Sequence, residues 1–171
     1  ASPVDSDDSQ TIVNSPPVAK DDSYSIVADT QLDVPEAQGV PVIVLTVKEG
    51  LEDKNVNMLL LEPMAGNIMR SIRDGRVAIG GLHARAAAAA MSAMHCCNSR
   101  GVVCAAPTGG SAGTLPGVVV SLAEERGLSR LEVARALFAA SAVGIVVARR
   151  ATFAAEIAGC QMEIGVAGAM S

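Results

Sequence analysis

Hydrophobic and polar positions divide the chain into two unlike parts. Residues 1–37 are polar, acidic and rich in Ser, Asp and Pro, without helical periodicity, and residues 1–14 have the composition of a disordered segment. Residues 16–26 alternate weakly, as a short strand would. Residues 40–47 form a β-branched run that predicts a second strand, with Pro41 suited to an edge or a start. Beyond Leu59 the period changes. Met64, Ile68, Met69 and Ile72 recur at helical spacing, Pro63 suits a first helical turn, and Gly75 closes the segment. A second helix is predicted over residues 83–94, with five consecutive alanines at 86–90. That run has the highest helix propensity available and lets a neighbouring backbone come close. A Pro/Gly loop spans residues 105–117. A short helix then covers 118–126, with Val118, Val119 and Leu122 inward and Gly127 as its stop. Ser129-Arg130-Leu131-Glu132 is a capping-box signature. It opens a helix to about Arg149 whose predicted inward face is Leu131, Ala134, Leu137, Phe138, Ser141 and Ile145. Arg149 and Arg150 stand where cations favour a helix C-terminus.

Composition sharpens the fold class. Half the residues are hydrophobic, but aromatics are 2% and tryptophan is absent, so the core must be built from Ala, Val, Leu, Ile and Met. The expectation is a mainly α protein: a compact helical domain with small-residue helix contacts, preceded by a short irregular or β N-terminal segment. The boundary is placed after residue 37, and residues 38–171 read as a helical domain truncated at its C-terminal side, because the pattern stops mid-helix. Residues 1–37 hold eight acids against one base, which leaves the rest of the chain at +2 of the overall −5. No basic stripe with interleaved aromatics exists, so nucleic acid is not expected as a partner. The uncharged stretch 101–123 is broken by Pro107, Pro116 and its glycines, and 136–148 is shorter than the roughly 20 residues needed to cross a bilayer. No membrane association is expected. Four cysteines admit two disulfides, a metal site or neither. Their alanine-rich helical flanks, and the lack of a basic-then-apolar leader, favour reduced thiols in a cytoplasmic protein.

Two runs are candidates for chemistry. The first is Cys104-Ala105-Ala106-Pro107-Thr108-Gly109-Gly110-Ser111-Ala112-Gly113-Thr114-Leu115-Pro116-Gly117, and the second is Gly159-Cys160-Gln161-Met162-Glu163-Ile164-Gly165-Val166-Ala167. Successive N–H groups of residues 108–113 are suited to form a nest for a carboxylate, with Thr108 and Ser111 adding hydroxyls. The plainer alternative is a tight helix–helix crossing. No Lys-Ser/Thr pair follows, so the loop is not a phosphate loop. The histidines are His83 and His95, the second abutting Cys96 and Cys97. Glu163 and Glu156 are the acids near the second run.

Together the two runs resemble the α-subunit region of iron–sulfur-dependent L-serine dehydratases, whose motifs read APT-x-G-(S/A)-(C/S)-G-x-x-P and G-C-Q-x-E-x-G. The resemblance extends from Glu49 to Ser171 and is strongest over 101–118 and 131–167. It implies a lyase that deaminates L-serine to pyruvate and ammonia. It also implies a [4Fe–4S] cluster with one iron free to act on the substrate hydroxyl. A β subunit or β domain is implied as partner, in an oligomer. Carried over by position, Cys160 matches a cluster cysteine, with Cys104, Cys97 and Cys96 as candidates for the others. The family's remaining cysteine positions fall at Ala112 and at Ile164 or Gly168. Thr108, Gly109, Gly110, Ser111 and Gln161 are the expected substrate contacts, and His95 and Glu163 the expected catalytic groups. The replaced cysteines motivate an alternative, a relative without a cluster that works as a binding or interaction module. A second, narrower resemblance links residues 16–26 to the opening strand of Ig-like repeats in bacterial surface proteins.

Overall fold

The computed structural model describes residues 39–52, 56–58 and 60–171. The weak strand at 16–26 and the acidic segment 1–37 lie outside these residues. No strand occurs among the described residues; seven α-helices and one 3-10 turn make up the ordered elements.

The first helix, α1 (Gly39–Leu51), corrects the strand expected at 40–47. Ile43, Thr46, Val47 and Gly50 are buried, a spacing of three, four and seven that suits one helix face. The β-branched composition concealed this period, and tertiary packing overrode the local preference. Pro41 lies in the first turn, where its missing N–H has no helical partner to lose. α2 (Ala65–Arg73) ends before Gly75, whose φ of 67° is left-handed.

The centre of the bundle is α3 (Gly81–Asn98), which packs against α1, α2 and α4. Its buried positions are Ala88, Ala89, Ser92, Ala93, His95 and Cys96. Ser92 donates its hydroxyl to the Val47 carbonyl of α1, and Gly50 lies so close to Ser92 that a Cβ there would overlap its backbone. On the other side of α3, α4 (Thr114–Arg126) crosses at the alanine run. A Cβ at Gly117 would stand 2.6 Å from the Ala90 nitrogen and 2.7 Å from both the Ala86 oxygen and the Ala90 Cβ. The close approach expected of the alanines is thus made by a glycine of the facing helix. α4 begins four residues earlier than expected, with Pro116 in its first turn, and ends at Gly127 in the left-handed conformation.

The Ser129–Glu132 capping box is formed: Glu132 N–H donates to Ser129 Oγ at 3.3 Å, and Ser129 N–H donates to Glu132 Oε2 at 2.7 Å. The Ser129 hydroxyl, which also donates to Glu132 Oε2 at 2.7 Å, and then the Ser129 N–H hold the Glu132 carboxyl below its usual range. The helix they start, α5 (Arg130–Arg150), keeps only part of the expected inward face, with Ala134 buried and Leu137 packed against the core. Val133, Ala134, Ala140 and Gly144 are buried, while Phe138, Ser141 and Ile145 are exposed. Small side chains decide the contact, because they let α7 come close. At Gly144 a Cβ would already touch the Met170 methyl at 3.2 Å. By length and apolarity α5 could cross a membrane. It packs against α7 and carries an arginine, Arg135, inside its length. The short α6 (Ala155–Ala158) and α7 (Cys160–Met170) are separated by Gly159, whose φ of 77° reverses the chain.

Candidate functional site

The loop after α3 runs extended to Thr108, whose φ of −127° and ψ of 166° place it at the head of a 3-10 turn, Gly109–Ser111. Ser111 N–H donates to the Thr108 carbonyl at 3.3 Å, and Ala112 N–H donates to the Gly109 carbonyl at 3.4 Å. Two of the amides expected to form an anion nest therefore hold the turn together. What the turn offers instead is hydroxyls. Thr108 Oγ1 lies 3.0 Å from Ser111 Oγ and donates to Glu163 Oε1 at 2.5 Å.

Glu163 reaches the turn from α7, across 55 residues of sequence. It rests directly on Gly110: a Cβ there would lie 2.9 Å and 3.0 Å from the two carboxylate oxygens. Gly110 has no special backbone angle, and a Cβ there would have to push aside the carboxyl end of the flexible Glu163 side chain. Cys160 opens α7, and three residues before Glu163 it lies on the same side of that helix. It is exposed, as is Gln161, whose Oε1 folds back toward Gly159. α3 closes the other side of the turn, with Cys97 Sγ 3.9 Å from the Gly109 carbonyl. His95 is buried in the last turn of α3, at 6% exposure. The two sequence runs, separated by the whole of α5, thus meet at Thr108, Gly110 and Glu163.

The cysteines do not meet in the same way. Cys96 is buried and turned toward α1, with its sulfur 3.9 Å from Glu49 Oε2. Burial first, then the nearby Glu49 carboxylate, pushes its thiol above the ordinary range and keeps it protonated. Sequence reasoning missed Glu49, and a pair 47 positions apart left no signal. Cys97 is half-buried, and Cys104 and Cys160 are exposed. Among the described residues no group of three or more His, Cys, Asp or Glu side chains is arranged to hold a metal ion. Ala112 is buried at 1% exposure, while Ile164 on α7 is 69% exposed. This donor set does not fit a four-iron cluster held by the chain's own thiols. A cavity of about 470 Å³ lies elsewhere, lined by Val44, Lys48, Val120, Ala123, Glu124, Leu128, Arg130 and Val133. It contains none of the expected site residues.

The sequence model of the serine dehydratase alpha chain family matches residues 28–171. The chain belongs to that family. The match begins nine residues before the end of the segment read as an acidic tail. A probable L-serine dehydratase alpha chain of Bacillus subtilis (strain 168) is 34% identical over 130 residues, covering 76% of this chain and 43% of the relative. A second probable L-serine dehydratase alpha chain, from Latilactobacillus sakei, is 50% identical over 72 residues, 42% of this chain and 34% of the relative. The L-serine dehydratase alpha chain of Peptoniphilus asaccharolyticus is 31% identical over 112 residues, 66% of this chain and 38% of the relative. The matched part of this serine dehydratase alpha chain relative thus spans between 34% and 43% of the length of those proteins. No solved structure matches it.

Proposed function

We propose that this chain carries the amino-acid-binding part of an L-serine dehydratase, a lyase that converts L-serine to pyruvate and ammonia. The observation supporting this reading is the junction of Thr108, Ser111 and Gly110 with Glu163, which joins both family motifs in one polar patch. The substrate carboxylate accepts from the Thr108 and Ser111 hydroxyls. Glu163, relieved of the Thr108 proton, faces the substrate ammonium. Loss of the α-proton and of the β-hydroxyl then releases water and leaves an enamine. Its imine tautomer takes the water back to give pyruvate and ammonia. Gln161 and Cys160 are exposed at the head of α7, the helix that carries Glu163.

A second reading is favoured by the scattered thiols: a relative that retains the amino-acid site and serves as a binding module. Under the first reading the iron centre needs thiolates beyond those of this chain, and a β chain of the family is the proposed partner. Anaerobic protein, prepared with and without such a β chain, is assayed for pyruvate formed from L-serine and for iron per chain. Pyruvate release accompanied by bound iron is the expected result. Serine binding with neither iron nor pyruvate would replace the lyase with the binding module.

A further inference from the structure

We infer that Glu163 makes this site selective for α-amino acids over the corresponding hydroxy acids, through the charge it places beside the bound carboxylate. The inference rests on the proposed binding of a substrate carboxylate at Thr108 and Ser111. A carboxylate accepting from Thr108 Oγ1 takes the proton now given to Glu163 Oε1, and so arrives beside a second carboxylate. Gly110 offers Glu163 no side chain to be held off by, since the carboxylate oxygens already lie within about 3 Å of where its Cβ would be. Two like charges at such range repel strongly in a partly desolvated site.

The sequence on either side offers no relief. Neither residues 101–125, which hold the turn and most of α4, nor residues 151–171, which hold α6 and α7, contain a Lys, Arg or His. From α3, Cys97 reaches the turn, with its sulfur 3.9 Å from the Gly109 carbonyl. Arg149 and Arg150, at the end of α5, are exposed. In this reading the cation that balances the pair comes with the ligand. An α-ammonium sits one carbon from the carboxylate and provides it. A hydroxyl in the same place does not, so the hydroxy acid is rejected by an unbalanced charge.

The test compares L-serine with L-glycerate, which replaces the ammonium by a hydroxyl. Affinities are measured by calorimetry or NMR on the whole chain and on Glu163→Gln, with thermal melting to verify folding. The wild-type chain should prefer L-serine by tenfold or more. Glu163→Gln should reduce that preference about tenfold, through weaker serine and tighter glycerate binding. Both ligands binding with the wild-type ratio preserved in Glu163→Gln would overturn the inference while leaving the carboxylate site standing. A wild-type chain that binds both equally would overturn it without any variant. Failure of both ligands to bind at all would remove the site, and the inference with it.

Discussion

Replacing Gly117 by valine should destabilise the fold by about 3 kcal/mol or more, lowering the melting temperature by roughly 10 °C for a chain of this size. The reason is the identity of the atoms in the way. A Cβ at this position meets the Ala90 nitrogen and the Ala86 oxygen, both backbone, and the Ala90 methyl, all within 2.7 Å. No rotamer change relieves that contact, so α3 and α4 must separate. Separation would open the central contact of the bundle and displace the Thr108–Ser111 turn, which leads directly into α4. Gly165 on α7 is the control. Nothing lies within 4 Å of a Cβ there, and Gly165→Ala should raise stability by a few tenths to 1 kcal/mol through helix propensity alone. Equal melting temperatures for Gly117→Val and the wild type would show that the two helices do not cross where described.

Thr108→Val should weaken L-serine binding, and any turnover that depends on it, by one to two orders of magnitude while leaving the melting temperature nearly unchanged. Valine keeps the β-branched shape that suits the extended backbone at this position. What disappears is the hydroxyl that joins Ser111 to Glu163. Without it the carboxylate of Glu163 loses its donor on the turn, and the substrate carboxylate loses one of two. Thr108→Ser retains the hydroxyl and should remain within a few-fold of the wild type. A valine variant that binds serine as well as the wild type would place the substrate somewhere else.

The helical architecture was legible wherever local chemistry left a mark. The capping box at Ser129 and the stop at Gly127 set their helix ends because a side-chain hydrogen bond and a left-handed backbone angle are local properties. The run 40–47 misled because β-branched residues satisfy two periods at once, and the choice was made by Ser92 and Gly50 through contacts invisible in the run itself. The inward face of α5 misled for a related reason. Bulky residues suggested the buried stripe, whereas the buried positions include Ala140 and Gly144, the second packed against Met170 of α7. At the site, the motifs held Thr108, Gly110, Ser111 and Glu163 in two separate runs, which the fold brings together. They did not reveal that the turn consumes its own amides, nor that Cys96 faces Glu49. Adjacent thiols in a helix point in different directions, so Cys96 and Cys97 serve different surroundings.

The account depends on the Thr108–Ser111 turn and the head of α7 forming one amino-acid site. Titrating ¹⁵N-labelled protein with L-serine and following every backbone amide tests this most directly. The largest shifts are expected together at Gly109, Gly110 and Ser111 and at Cys160 through Glu163, saturating with a single affinity. Shifts gathered instead around Lys48, Glu124 and Leu128, in the separate cavity, with the turn and α7 unmoved, would contradict it.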